Sequence, residues 1–300
     1  MPELPEVETM VRGLRPVLQG RRLVGIRILD PLLLSAGKRE LVEQATLGAS
    51  VRAVSRRGKW VVIDLGSIRG SIVIQPRMTG GFWLVPPDRP DHVRLLFEVK
   101  GRREPVWFCD TRRLGRLAWY RDAAEMEAAI ARSQGPDALE ISALVLGERL
   151  KRTSRAIKPA IMDQKVVSGI GNIYADEILH AARIHPQTVA SRLKPAEVSR
   201  IHECMVEVLR AAIAAEGSSF DAGYRTVLGQ EGGFLTQNAV YGREGEPCKR
   251  CGRGVTRTRF PGLLGRSTYF CGSCQPARRR TREGRGGLNN LALAGFSEFG

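Results

Sequence analysis

Four of the six cysteines fall into two Cys-x-x-Cys pairs, Cys248/Cys251 and Cys271/Cys274, with 19 residues between them. Each pair sets two thiolates on a tight knuckle, and two knuckles complete a tetrahedral zinc site with four sulfur ligands. A closed four-thiolate shell has no open position, so the single zinc ion it implies is structural, closing a hairpin rather than touching substrate. Redox-active dithiols are the competing reading of the motif. Cys109 and Cys204 stand alone and read as buried small hydrophobes. The N-terminus is the second candidate. Met1 precedes Pro2, a good context for Met removal, which would leave Pro2 as a free secondary amine. With a pKa near ~8, part of such an amine is neutral at pH 7. Its attack on an aldehyde-like carbon gives an iminium ion, an electron sink for elimination. Glu3 and Glu6 follow, so one carboxyl can move protons while the other orients the amine. Acidic residues near a helix start more commonly answer the helix dipole. Lys59 follows Arg56-Arg57-Gly58 at the start of a β-rich run. It reads as a solvated surface residue, a phosphate contact or a general acid. Asn172 closes the turn Gly169-Ile170-Gly171-Asn172, where it suits a helix N-cap while the turn's open N–H groups suit an anion.

The elements that must hold these residues show in the periodicity. Val7, Met10, Val11, Leu14 and Leu18 have helical spacing, with Pro5 suited to the first turn and Gly20 to the stop. From about residue 21 to 120 the pattern turns to short β-rich runs such as RLVGIRIL, KWVVIDL, SIVIQ, VRLLFEV and RLAWY, separated by Gly, Pro and Asp clusters. Strands without intervening helices suggest a β-sandwich. Residues 133–139 read as a linker, and helices are expected over 142–154, 158–166, 172–182 and 195–215. Residues 217–240 are Gly-rich and expected to form a mobile loop. The tail from Pro276 is Arg/Gly-rich and expected to be disordered.

The chain has 300 residues, enough for two cores, and a formal net charge of +16. From Arg243 to Gly300 there are 12 Lys/Arg against 4 Asp/Glu, a net of +8, so half the excess charge sits in the last 58 residues. Such a field concentrates polyanions, and nucleic acid is the commonest partner, with solubility as the plainer explanation. Arg257, Arg259 and Arg266 on the hairpin can reach phosphates. No apolar run reaches the ~18 residues of a membrane span. The first residues lack the apolar core of a secretory signal, so a cytoplasmic location is expected.

These features together resemble the bacterial formamidopyrimidine-DNA glycosylases, relatives of endonuclease VIII. The likeness spans about residues 1–275. It rests on MPELPEVET, on RRGKW around Lys59, on Asp110-x-Arg-Arg, and on AIKPAIMDQKVVSGIGNIYADEIL from Ala156 to Leu179. VYGREGEPC before the finger and GRSTYFC at Gly265–Cys271 complete it. The resemblance implies an α+β fold in four parts. These are a catalytic N-terminal helix with a β-sandwich (1–134), a helix–two-turn–helix DNA-binding domain (135–242), a four-cysteine zinc finger on a β-hairpin (243–275) and a basic tail (276–300). It implies a bifunctional DNA glycosylase and AP lyase acting on double-stranded DNA with damaged bases or abasic sites. Such an enzyme is expected to be a monomer associated with the bacterial nucleoid, with no catalytic metal or organic cofactor.

The resemblance also carries roles. Pro2 is the nucleophile at C1′, Glu3 the acid/base, and Glu6 the support of the amine. Lys59, Asn172 and Arg266 grip phosphates beside the flipped nucleotide, with Lys158 and Gly171 among the DNA-binding positions. Met78 fills the void, Arg112 contacts the orphaned base, and Leu114 is the wedge. Extrusion of the lesion and insertion of an apolar wedge are what base-flipping chemistry requires. Four departures stand out, one of them the basic tail after Cys274, which goes beyond the family's short usual end. Purine-specific members usually read His-Leu-Gly-Met-Ser-Gly where this chain reads Gln75-Pro76-Arg77-Met78-Thr79-Gly80. The usual aromatic wedge is Leu114, and the finger's inter-pair spacing is longer. They keep two alternatives open: a preference for oxidised pyrimidines, and a non-catalytic damage-binding paralogue.

Overall fold

The structure is a computed structural model that describes residues 2–35, 38–219, 224–260 and 265–278. Helix α1, Leu4–Leu18, opens on Glu3, whose backbone N–H donates to Glu6 Oε2 at 2.7 Å. Its stripe Val7, Met10, Val11, Leu14 and Leu18 is completely buried. It packs into a sandwich built from β1 (Leu23–Ile28), β2 (Ala53–Arg57), β3 (Trp60–Asp64), β4 (Ser71–Gln75), β5 (Gly80–Trp83), β6 (Val93–Val99), β7 (Val106–Asp110) and β8 (Arg116–Tyr120). The two antiparallel sheets have the strand orders β1-β6-β7-β5 and β2-β3-β4-β8. The pleat sorts the side chains. Val61 and Ile63 of β3 face the core and pair with Ile74 and Ile72, while Val62 points to the outer face.

One helix interrupts the run that the sequence presents as strands alone, and a second, also unexpected, follows it before the linker. Helix α2, Arg39–Thr46, buries only Val42 and Thr46, too short a stripe to register as periodic. Helix α3, Ala123–Ser133, is capped by Asp122, whose carboxylate accepts Glu125 N at 2.8 Å. Its Met126 and Ile130, one turn apart, cover Val62 and Val73 on the outside of the sheet.

The helical unit contains α4 (Ala143–Lys151), α5 (Ile157–Met162), α6 (Asn172–Ala181) and α7 (Pro195–Ala214). Helix α5 ends four residues earlier than its sequence suggests, because Asp163 Oδ1 accepts Lys165 N at 2.9 Å and turns the chain. A second core lies here, and it includes Leu4 from the start of α1. A hairpin of β9 (Thr256–Arg259) and β10 (Ser267–Phe270) carries the paired cysteines. The fold is therefore mixed α and β: sandwich, helix–two-turn–helix unit and finger. Of the Gly-rich segment expected to be mobile, residues 220–223 lie outside the described residues. Ser219 Oγ accepts Gly232 N at 2.8 Å, tying the segment's two described sides together. The expectation of a disordered tail also falls outside the described residues, apart from Pro276–Arg278. There Arg278 pairs with Glu197.

Candidate active site

Pro2 is buried at the head of α1 and lines a cavity of about 370 Å³ between the sandwich and the helical unit. Lys59, Gln75 and Arg77 enter it from the sandwich, Gln164 and Gly171 from the helical unit, and Arg266 from the hairpin. Residues from Lys59 to Arg266, drawn from three separate parts of the chain, thus meet at Pro2.

Glu3 makes the contact that joins the units. Its Oε2 accepts Gly171 N at 2.6 Å and its Oε1 accepts Ile173 N at 3.0 Å, so the carboxylate sits on the positive end of α6. Two sequence expectations change as a result. The open N–H groups of the turn do hold an anion, but the anion is this chain's own Glu3. Asn172 is not the N-cap, since Gly171 occupies that position. Asn172 Nδ2 instead donates to Ser267 O at 3.2 Å and Tyr241 OH at 3.4 Å, tying α6 to the hairpin. A Cβ on Gly171 would lie 2.3 Å from Glu3 Cδ, so the close approach itself demands glycine.

Glu6 is 1% exposed. Its Oε1 accepts Tyr174 OH at 2.5 Å and Ser218 N at 2.8 Å, and its Oε2 holds the N–H of Glu3. Burial raises its pKa, and the nearby Glu3 carboxylate raises it further. The Lys59 ammonium is shifted downward, first by desolvation, with Glu3 opposing the shift and Arg266 adding to it. Lys59 sits behind a pinned turn. The largely covered Asp137 carboxylate pairs with Arg56 and accepts Gly58 N and Leu139 N, each at 3.0 Å.

Met78, Arg112 and Leu114 are gathered on two neighbouring turns rather than in the cavity wall. Asp110, 1% exposed, staples those turns: it accepts Thr79 Oγ1 at 2.5 Å, Arg112 N at 3.2 Å and Gly115 N at 2.6 Å. Arg112 is exposed and Leu114 is 37% exposed, leaving both side chains presented to solvent.

Lys158 is the clear correction. It is 0% exposed, and its Nζ lies 2.8 Å from Asp176 Oδ1, 3.0 Å from Ser267 O and 2.9 Å from Thr268 Oγ1. Two hydrogen bonds and an ion pair occupy the ammonium inside the protein, so it is not offered to a phosphate. Asp176, Glu177, Tyr174 and Asp137 are functional neighbours that the sequence reading misses. The sequence carries no signal for them: Asn172, Asp176, Glu177 and His180 fall on one side of NIYADEILHA as a solvated face would. The structure buries every residue from Ile173 to His180, and a buried acid needs partners. Glu177 meets that need by accepting Ala239 N, Val240 N and Tyr241 N at 2.7, 3.0 and 2.8 Å.

The sulfurs of Cys248, Cys251, Cys271 and Cys274 all lie within 4.8 Å of one another, with near pairs at 3.5 and 3.9 Å. Four Zn–S bonds of ~2.3 Å in a tetrahedron place sulfurs about 3.8 Å apart, so the donor set fits zinc. Cys109 is buried in β7 and its thiol is pushed up to about 12 by desolvation, as expected of an inert residue. Among the described residues no helix is long and apolar enough to cross a membrane.

A helix that sets Pro2 in a cavity and packs on a β-sandwich, a helix–two-turn–helix unit gripping its first carboxylate, and a four-cysteine finger define a DNA-glycosylase class of protein. Family models agree along the chain: the formamidopyrimidine-DNA glycosylase N-terminal domain over residues 1–117, its H2TH domain over 134–222, and the zinc finger found in FPG and IleRS over 245–277. A formamidopyrimidine-DNA glycosylase of Synechococcus sp. is 38% identical, covering 92% of this chain and 99% of that protein. The crystal structure of the MutM (Fpg) protein of Thermus thermophilus is 37% identical with a TM-score of 0.80, covering 91% of this chain and 98% of that one. A complex of Lactococcus lactis Fpg with abasic-site DNA is 29% identical with a TM-score of 0.81, covering 92% and 100%. The chain belongs to the formamidopyrimidine-DNA glycosylase family.

Proposed function

We propose that this protein is a bifunctional glycosylase and AP lyase of base excision repair that removes formamidopyrimidines and 8-oxoguanine from double-stranded DNA. The observation that carries the reading is the placement of Pro2 in a cavity walled by Lys59 and Arg266, beside a carboxylate seated on a helix N-terminus. With Met1 removed, the Pro2 amine attacks C1′ of the extruded nucleotide; the C1′–base bond breaks, its electron pair leaving with the base, which takes a proton from water, and the proton that the amine loses passes to the Glu3 carboxylate. Opening of the sugar, with a proton delivered to O4′ from Glu3, leaves an iminium between Pro2 and C1′. Loss of a C2′ proton then expels the 3′ phosphate, and a second elimination expels the 5′ phosphate. Water finally hydrolyses the iminium and regenerates the amine. Glu6 holds the head of α1 in register through the Glu3 N–H. Lys59, Asn172 and Arg266 grip the backbone, while Met78, Arg112 and Leu114 hold the space vacated by the lesion. The chain is read as a cytoplasmic monomer, and the zinc holds the hairpin that presents Arg266.

The similarity of Lactococcus lactis Fpg bound to abasic-site DNA supports the choice of partner. Gln75 and Arg77 both line the cavity, and they motivate the second reading, a preference for oxidised pyrimidines. Borohydride trapping tests both. Duplexes carrying an abasic site, 8-oxoguanine, a formamidopyrimidine or an oxidised pyrimidine are incubated with the protein and reduced, and the adduct is mapped. A Pro2 adduct richest on the purine lesions is expected. A richer yield on the pyrimidine selects the second reading. No adduct from protein shown by mass spectrometry to begin at Pro2, with DNA still bound, would mean a non-catalytic binder.

A further inference from the structure

We propose that the buried Lys158–Asp176 pair is a positioning device for Arg266, acting on DNA only through that residue. The inference rests on the backbone-gripping reading of the cavity. Lys158 comes from α5 and Asp176 from α6, with 0% and 1% exposure. Lys158 Nζ donates to Ser267 O and Thr268 Oγ1, and Asp176 Oδ2 accepts Tyr269 N at 2.9 Å. One ion pair therefore fixes three successive residues at the start of β10. Asn172 Nδ2 adds a second donor to Ser267 O.

The clamp falls where the hairpin's own support ends. The β9–β10 ladder begins at Ser267, opposite Arg259, and Arg266 is the residue just before it. Arg266 is exposed, lines the cavity with Pro2, and makes no ion pair or side-chain hydrogen bond among the described residues. Its direction into the cavity is thus set by backbone held at Ser267. An apolar pair would fill the same interior volume without the cost of desolvating two charges. What it would lack is two directed donors and one acceptor on the first three residues of the strand, and that geometry is what an arginine aimed at a phosphate needs. A plain structural glue would stabilise the hairpin. A positioning pair also makes its effect on DNA depend on Arg266.

The test is a double-mutant cycle on full-length, zinc-loaded protein. Binding to a duplex with a tetrahydrofuran abasic analogue is followed by fluorescence anisotropy over a salt series. The variants are Lys158→Met/Asp176→Asn, which removes the grip without leaving one charge buried alone, Arg266→Ala, and their combination. Zinc content and thermal melting accompany each. Arg266→Ala is expected to weaken binding about tenfold and to lower the salt slope by about one. The pair swap should do the same with zinc retained, and should change binding by less than about twofold once Arg266 is alanine. Equal weakening by the pair swap in both backgrounds, or a further drop of about one in the salt slope, would show Lys158 acting on DNA directly and overturn the proposal. If the pair swap loses zinc, Thr268→Val takes its place, since it removes one of the three acceptors of Lys158 and uncovers no charge. Its smaller weakening must likewise vanish in the Arg266→Ala background. Failure of the unmodified protein to bind the abasic duplex would overturn the glycosylase reading instead, which keeps the two failures distinct.

Discussion

Replacing Gly171 with alanine adds one methyl group, and its effect can be worked out from the geometry. The backbone there has φ −126°, which any residue adopts, so the substitution carries no conformational penalty of its own. The new Cβ would lie 2.3 Å from Glu3 Cδ and 2.4 Å from Oε1, and the carboxylate must leave its seat. Two charge-assisted hydrogen bonds then go, those from Gly171 N and Ile173 N at 2.6 and 3.0 Å. Each is worth about 1.5–3 kcal/mol. The carboxylate regains some hydration when displaced, so a net loss of about 3–4 kcal/mol is expected, or a factor of about 10²–10³ in any step that uses seated Glu3. This matches the scale of general acid–base catalysis. Single-turnover excision from a lesion duplex, with borohydride trapping on an abasic duplex in parallel, reads the loss. Zinc content and affinity for the abasic analogue should change little, because Arg266 and the hairpin are untouched. Wild-type rates in Gly171→Ala would refute the idea that the α6 terminus holds Glu3 for proton transfer.

Other perturbations probe other parts of the site. Asp137→Ala leaves Gly58 N and Leu139 N without their acceptor while Arg56 keeps Glu8, and should cost about 2–4 kcal/mol of stability, measured by urea unfolding, with slower trapping. Chelation of zinc or Cys251→Ser should release the hairpin and abolish tight DNA binding while the sandwich keeps its near-UV circular dichroism. Desolvation lowers the pKa of Lys59, so the unfolded chain binds the extra proton at alkaline pH. That group's contribution to stability is therefore smallest below its folded pKa and recovers as pH rises towards 10.5. A phosphate grip that requires the ammonium should fade on the alkaline side before 10.5, and Lys59→Arg should move that limb upward in a pH series of duplex affinity. Leu114→Ala should reduce excision more than binding to the abasic analogue, since the wedge matters most while a base is being extruded; equal effects would count against the wedge role.

Much of this organisation is legible in the chain because it repeats or recurs locally. The α1 stripe, the β runs and the cysteine spacing are short-range patterns, and each has one structural solution. Helix α2 is hidden because two buried side chains make no period. Helix α3 is hidden because it covers the outside of a sheet already satisfied within. At the site, Pro2, Lys59 and Arg266 are found together as the motifs imply. The partners of Glu3, Asp110 and Asp176 include backbone N–H groups, several of them far along the chain, and no residue type marks a backbone donor. That is why the Gly169–Asn172 turn reads as an open anion site when Glu3 fills it. It is also why Lys158, a cation in a DNA-binding motif, reads as a surface contact when it is sealed inside.

Leu4 lies in the helical core while Val7, three residues on, lies in the sandwich core. The first turn of α1 is thus embedded in both bodies, and Leu4 N is tied to Gly169 O at 2.9 Å. Widening the cleft would pull on the very turn that carries Pro2, along with the Arg56–Asp137 pair and the Glu6–Ser218 hydrogen bond that also join the two parts. Keeping the two bodies together and keeping Pro2 in place are thus a single task, done by one turn of helix.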